Sequence, residues 1–360
     1  MRINDNGIMQ IVNNLLPETY VFNQPYETLQ ELLQSENYSQ VFLLVDKQTE
    51  IHCLPMFKKN VPDLSIACVF TVESGEMSKS FDTCKQLWKQ LADNNADRHS
   101  LLINLGGGMI TDLGGFIAST FKRGIDFINI PTTLLAMVDA SIGGKTGVNL
   151  DGLKNQIGVI RQAKLVLYDF DYLTTLPDNE VKSGFAEMLK HGLIADKEYW
   201  NKLISIKDIT GNSLLVVQGS VKIKSQLVDE DPNEHSVRKH LNFGHTLGHA
   251  IESYTHMNWQ KPLLHGEAIA HGIILESYLS HYILGLEKED LSQIIKTIKS
   301  HFVIHHFDAE QQKNIIDLLR HDKKNRDGKV LFVLLSEIGQ AKTDVEINEE
   351  IITESFSYLS

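Results

Sequence analysis

The chain has 360 residues, enough for about two domains at roughly 150 residues each. Apolar residues make up 42% and charged residues 22%, so a proper core can be buried and a disordered tail is excluded. Lys and Arg number 34 against 46 Asp and Glu, a net charge of −12 that argues against a nucleic-acid binder with a basic stripe. An anionic small substrate stays open, because a few cations converging in one cleft set the local field whatever the total. No apolar run approaches the ~20 residues of a membrane span, and no basic-then-apolar signal opens the chain. Cys53, Cys68 and Cys84 are widely spaced and form no CxxC pair, which suits a reducing cytoplasm.

Residues 41–45 (VFLLV), 65–71 (SIACVFT) and 101–105 (LLINL) read as short buried strands. Residues 78–91 lie between the second and third, with Phe81, Leu87, Trp88 and Leu91 at the spacing of an amphipathic helix. Strands separated by helices imply crossovers and a mostly parallel sheet, so the N-terminal part is α/β. The character changes after residues 176–180 (LPDNE), where Pro followed by Asp and Asn opens a long periodic apolar pattern. Helical segments continue to about His321, residues 329–335 (KVLFVLL) read as a late strand, and a terminal helix follows Gly339. The expected architecture is an α/β domain with a parallel sheet over residues 1–178 and a mainly α-helical domain over residues 179–360.

Residues 104–112 (NLGGGMITD) follow a strand and open a helix that runs through Leu113 to Phe121. Glycines there let backbone N–H groups approach a phosphate, and the helix N-terminus supplies positive potential. Gly106 and Gly108 fit the common dinucleotide fingerprint, but its third glycine position holds Thr111, so a plain tight turn stays open. Asp46, at the end of an earlier strand, is placed to accept from a ribose hydroxyl. Glycines surround Lys145, and a lysine so enclosed is costly unless it meets an anion. The GGKT run resembles the tail of a phosphate-binding loop, but Ala140 stands where that loop needs a glycine, which excludes an ATPase.

Residues 242–249 (NFGHTLGH) put His245 and His249 on one helix face. His265 follows after a short loop, and Glu187 lies on an earlier helix. A lone pair of helical histidines is as readily a hydrogen-bonded pair as a ligand set. Adding His265 and Glu187 favours a divalent metal such as zinc, with a position left for substrate.

These stretches, with Arg123-Gly124, Pro131-Thr-Thr133, Lys154-Asn155, residues 187–190 (EMLK), residues 238–245 (RKHLNFGH), His265-Gly-Glu267 and Asp322-Lys-Lys324, resemble the 3-dehydroquinate synthase family of sugar phosphate cyclases over nearly the whole chain. The resemblance implies conversion of 3-deoxy-D-arabino-heptulosonate 7-phosphate to 3-dehydroquinate and phosphate, with bound NAD and one divalent metal, zinc or cobalt. By position, NAD is expected on Asp46, Ser74, Glu76, Lys79, Gly107, Gly108, Asp112, Thr132, Thr133, Asp139, Lys145, Lys154, Thr174 and Thr175. Glu187, His245 and His265 match the metal ligands, and His249 a histidine acting in proton transfer. Lys145, Asn155, Lys190, Lys224, Arg238 and Asn242 match substrate-binding positions, as do Arg123 and one of Lys323 or Lys324, with Lys324 preferred. Arg123 matches an arginine that reaches the neighbouring subunit's substrate, which implies a homodimer. Met137, Ala140 and Leu150 depart from the residues frequent there, which bears on fine specificity. Another cyclase acting on a heptulose 7-phosphate and a metal-dependent alcohol or polyol dehydrogenase are the rivals. Arg238 and Asn242, at carboxylate-binding positions, favour the dehydroquinate reaction over the first.

Overall fold

The computed structural model describes residues 19–150, 153–206, 208–319 and 330–360. They fall into two compact units, one of Met1–Pro177 with Ser213–Lys222, the other of Asp178–Asn212 with Ile223–Ser360.

The first unit is built on a six-stranded sheet ordered β1-β8-β5-β4-β2-β3. Its strands are β1 (Tyr20–Val21), β2 (Val41–Asp46), β3 (Cys68–Val72), β4 (Leu101–Gly106), β5 (Asp126–Pro131) and β8 (Leu165–Leu167), paired in parallel throughout. Every residue of β2 and β4 is buried, as expected of parallel strands covered on both faces. Alternate residues Val41, Leu43, Val45, Leu101, Ile103 and Leu105 share one core with Leu29, Leu54 and Phe57. Those last three come from helices α1 (Pro25–Glu36) and α3 (Leu54–Asn60), while α2 (Lys47–His52) follows β2 directly. The expected strands 41–45 and 101–105 agree with β2 and β4, and 65–71 starts three residues early. The expected helix 78–91 is α4 (Phe81–Asp93), capped by Ser80, whose hydroxyl accepts from the Thr83 N–H. Helix α5 (Gly108–Thr120) leaves the glycine-rich turn as expected.

The segment around Lys145 is not a loop but an antiparallel hairpin of β6 (Lys145–Leu150) and β7 (Leu153–Ile160). Glycines take the crowded places in it. A Cβ on Gly158 would lie 2.4 Å from the Thr146 carbonyl oxygen, so the strands approach as closely as they do only with glycine.

The second unit is mainly helical: α6 (Asp178–Ala195), α7 (Lys197–Ser205), the C-terminal part of α8 (Ser213–Glu230), α9 (His245–Asn258), α10 (His265–Leu284), α11 (Lys288–His301), α12 (Ala309–Leu319) and α13 (Glu349–Ser355). A two-stranded antiparallel ribbon of β9 (Leu331–Glu337) and β10 (Gln340–Glu346) completes it. Helix α10 is buried at every position from Ala268 to Ser280, the mark of a core helix. The fold class is therefore the expected one, an α/β parallel-sheet part and a mainly helical part. No helix among the described residues is long and apolar enough to cross a membrane.

His271 of α10 is fully buried as a neutral imidazole. Its Nδ1–H donates to the Glu267 carbonyl at 2.7 Å, and its Nε2 accepts from the His305 N–H at 2.9 Å. A second ring proton would point at that amide, and burial chiefly pushes the pKa down to about 4. A depressed histidine pKa stabilises the fold above its unfolded value, near 6.5, and that stabilisation drains away as pH falls toward 4. The loss is expected to be about 3 kcal/mol, since one pKa unit is worth about 1.36 kcal/mol. Urea midpoints from pH 7 to 4 will fall less steeply for His271→Gln than for the parent; parallel curves would mean that His271 titrates normally.

Candidate active site

In the first unit, polar side chains gather around the glycine-rich turn. Gly107 occupies the N-cap of α5 and offers no side-chain cap, so the first N–H groups of the helix are left for an incoming acceptor. The chain leaving β5 packs directly on the turn, with the Thr132 N–H donating to the Gly106 carbonyl at 3.0 Å. A Cβ on Gly107 would meet Thr133 Cγ2 at 3.0 Å, and one on Gly108 would meet Ala140 Cβ at 3.1 Å. The glycines thus keep the turn thin enough for an anion to reach backbone amides.

Lys79 is buried, with Nζ 2.6 Å from Asp112 Oδ2, 2.5 Å from Asn155 Oδ1 and 3.9 Å from Glu76 Oε1. Burial alone would lower its pKa, but Asp112 and Glu76 reverse the sign and keep the ammonium charged. Glu76 also accepts from Asn149 Nδ2 at 2.9 Å. Asp46 Oδ1 accepts from the Gln48 and Thr49 N–H groups and from the Ser74 hydroxyl, so one oxygen serves both the cap of α2 and Ser74. Lys145 and Lys154 are exposed on the hairpin, and Asp139 is half-buried in the turn Ala136–Ala140. The hydroxyls of Thr174 and Thr175 donate to the Asp171 and Tyr172 carbonyls of their own turn. Arg123 is exposed in a turn with three successive positive φ values: 48° at Lys122, 72° at Arg123 and 112° at Gly124. Two of the three are not glycine, a strain of about 1–3 kcal/mol each that surrounding structure must hold.

In the second unit, three helices converge on Glu187. It is fully buried on α6, and His245 and His265 open α9 and α10. His245 Nδ1–H donates to the Phe243 carbonyl at 3.0 Å, and His265 Nδ1 faces Glu252 Oε2 at 3.5 Å. Those partners only accept, so they fix the ring protons on Nδ1 and leave each Nε2 a lone pair. Both Nε2 atoms lie 3.4 Å from Glu187 Oε1, which is buried and makes no hydrogen bond. Three electron-rich atoms therefore face one another, an arrangement that repels unless a cation fills it. Burial alone would lower the His265 pKa, yet Glu187 and Glu252 raise it to about 10, so the cluster draws in positive charge. His245 shifts the other way, pushed down chiefly by burial. The donor set fits a divalent metal such as zinc.

Lys190, one turn along α6, donates to Glu187 Oε2. Burial by itself would raise the Glu187 pKa; Lys190 and the imidazoles hold it well below the ordinary range. The His249 ring centroid lies 5.0 Å from that of His245 and 5.7 Å from that of His265, and the three imidazoles offer nitrogens within 4.8 Å of one another. Distance alone thus leaves His249 and Glu187 both in reach of the third position. Lys224 and Arg238 are buried, and Arg238 donates to the Pro232 carbonyl at 2.8 Å. Asn242 Nδ2 donates to Glu234 Oε1 at 2.9 Å. Lys324 lies outside the described residues. The structure adds two carboxylates that sequence reasoning passed over, Glu252 beside His265 and Glu276 beneath α9. Periodicity could have flagged Glu276, a charge that follows the apolar run Gly272–Leu275 of α10.

The family described as 3-dehydroquinate synthase N-terminal matches residues 69–183, and that described as 3-dehydroquinate synthase C-terminal matches residues 184–325. The chain belongs to the 3-dehydroquinate synthase family. Within it, a 3-dehydroquinate synthase of Parabacteroides distasonis is 44% identical over 92% of this chain and 94% of its own. One of Oceanobacillus iheyensis is 38% identical over 84% of each. Among solved structures, the fold matches a 2-deoxy-scyllo-inosose synthase complexed with carbaglucose-6-phosphate, NAD+ and Co2+. The TM-score is 0.81 and the identity 23%, over 94% of this chain and 95% of that one. It also matches the 2-epi-5-epi-valiolone synthase of Streptomyces hygroscopicus subsp. jinggangensis with NAD+ and Zn2+ bound, at a TM-score of 0.80 and 24% identity over 96% and 97%.

Proposed function

We propose that this chain is a 3-dehydroquinate synthase, converting 3-deoxy-D-arabino-heptulosonate 7-phosphate to 3-dehydroquinate and phosphate in the shikimate route to aromatic amino acids. The observation that carries the reading is the company kept by the Glu187/His245/His265 cluster: buried Lys190, Lys224 and Arg238 in the same unit, in a chain of this family. A dehydrogenase acting on a neutral polyol has no use for so many desolvated cations, each costly without an anionic partner.

Glu187, His245 and His265 hold the divalent metal in this reading. The amides at Gly107 and Gly108, with Thr132 and Thr133, hold the cofactor pyrophosphate, while Asp46, Ser74, Glu76, Lys79, Asp112, Asp139, Lys145, Lys154, Thr174 and Thr175 complete its site. When bound, NAD supplies reversible hydride transfer and the metal Lewis acidity at a substrate oxygen. The planar fork of Arg238, with Asn242, suits the substrate carboxylate. Lys145, Asn155, Lys190, Lys224, Lys324 and Arg123 orient the hydroxyls and phosphate and offset charge as the phosphate leaves, at a few kcal/mol per well-placed donor. His249 moves protons, its imidazole being able to donate and to accept one. Residues 1–178 form the NAD-binding domain, which also lends Arg123, Lys145 and Asn155 to the substrate, and 179–360 the metal- and substrate-binding domain. The enzyme acts in the cytoplasm as a homodimer.

Turnover is expected to release inorganic phosphate from the heptulosonate phosphate with no net change in nicotinamide absorbance. Chelation will abolish it and a divalent metal will restore it. Accumulating NADH would instead mean a dehydrogenase, and full activity in a rigorously metal-free preparation would remove the metal from the reading.

A further inference from the structure

Helices α9 and α10 run antiparallel and in contact through glycine. A Cβ on Gly272 of α10 would lie 1.9 Å from the Gly244 carbonyl oxygen, and one on Gly248 of α9 would lie 2.8 Å from Ile269 Cδ1. Gly244 itself has φ 76° and caps α9 with no side chain, so the first amides of that helix look to another element for acceptors. Glu276 supplies them. It lies one turn beyond Gly272 on the same face of α10 and is fully buried. Its Oε2 accepts from the Gly244 N–H at 2.6 Å and its Oε1 from the Leu247 N–H at 3.0 Å, and those two amides flank His245.

The other end of the pair repeats the device with the helices exchanged. Glu252, buried midway along α9, places Oε2 3.5 Å from Nδ1 of His265, the first residue of α10. Each helix thus sends one buried carboxylate to the start of its partner, and each start carries one histidine of the cluster. Buried carboxylates are costly, and each of these two is placed where it meets a start of the partner helix that carries a histidine of the cluster. A carboxylate at a helix N-terminus also gains from the helix dipole.

We propose that Glu252 and Glu276 form a reciprocal clamp that sets His265 and His245 in their metal-binding positions before any metal arrives. Both are positioning residues: Glu252 fixes the tautomer and direction of the His265 ring, and Glu276 fixes the backbone turn that carries His245. The inference rests on the reading of Glu187, His245 and His265 as the metal ligands.

The test is direct titration of Zn2+ and Co2+ into the metal-free full-length protein and its Glu252→Gln and Glu276→Gln variants. In Glu276→Gln the amide NH2 is set against a backbone N–H, and in Glu252→Gln a neutral acceptor replaces the carboxylate that faces the His265 ring. Each variant is expected to bind metal about 10–100-fold more weakly, the usual cost of losing a group that supports a ligand. The Co2+ absorption bands will shift as the ligand geometry loosens. Hydrogen exchange read by mass spectrometry on metal-free protein should show residues 244–247 protected in the parent and exposed in Glu276→Gln. His245→Ala separates the two readings. If it still binds one metal per chain with parental affinity, the ligand assignment itself has failed. If it binds none while both glutamine variants keep parental affinity and Co2+ spectrum, the clamp is overturned, even where their thermal stability falls. Should the variants not fold, the parent decides: amides 244 and 247 exchanging at unfolded rates in the folded metal-free protein overturn the clamp, and slow exchange supports it.

Discussion

Replacing His245 with alanine will leave the protein without its metal, whereas replacing His249 will leave the metal in place and the enzyme slow. His245 presents a proton-free Nε2 3.4 Å from Glu187 Oε1, because its Nδ1–H is committed to the Phe243 carbonyl. Without that lone pair the metal keeps too few donors to be held. The expected fall in turnover is about 10³-fold or more, since a Lewis acid contributes several kcal/mol to the barrier and 1.36 kcal/mol is tenfold. His249 lies one turn beyond His245 on the same helix, its ring centroid 5.0 Å from that of His245. Losing it removes a proton carrier, and turnover should fall by about 10²–10⁴-fold with metal content unchanged. Turnover alone therefore cannot separate the two variants; metal analysis of the purified proteins does. Equal metal loss in both would make His249 a ligand, which its ring position also permits.

Arg123→Ala and Lys190→Ala proteins, each inactive alone, are expected to recover about a quarter of parental activity when their subunits are exchanged. Arg123 follows α5, whose 13 residues carry it about 20 Å from the glycine-rich turn at 1.5 Å per residue. Its side chain is exposed and the turn that holds it is strained, with positive φ at Lys122 and Arg123. An ordinary cation at a helix end needs no such backbone. If Arg123 completes the site of a two-fold partner, each hybrid dimer contains one intact site and one doubly damaged site. Random reassembly makes about half the dimers hybrid, and half of their sites work, which yields about a quarter. If Arg123 serves its own subunit, every site carries a lesion and the mixture stays as inactive as its parents. Exchange confirmed by mass-tagged subunits, with no recovery, would return Arg123 to its own chain.

The strands most legible in the sequence were those whose residues are buried on both faces. The run 41–45 is apolar without a break, 101–105 is interrupted only by Asn104, and they stand as β2 and β4 with one residue added to each. The hairpin of β6 and β7 was illegible for the opposite reason. Its glycines and polar residues carry no period-2 apolar signal, and the strands are held by backbone pairing at Gly147 and Gly158. Lys79 shows the same limit at the level of a site. The family resemblance placed Lys79, Asp112 and Asn155 among binding residues, but nothing in their spacing says that one ammonium meets both partners.

For the histidine cluster, the sequence by itself offered the candidate donors and their kind, three imidazoles and a carboxylate in apolar helical surroundings, and the family resemblance narrowed them to Glu187, His245 and His265. Chemistry of that sort follows from residue type, because only a few side chains offer lone pairs that suit a divalent cation. Which nitrogen faces inward was decided by the tertiary structure, through the Phe243 carbonyl and the Glu252 carboxylate that claim the opposite ring positions. The same holds for the partners of Glu276, which exist only because Gly272 and Gly244 bring two helices close enough for its carboxylate to reach the backbone beside His245. Hydrogen-bond direction and close approach depend on distances of a few tenths of an ångström between residues far apart in the chain, and no pattern of residue types carries that information.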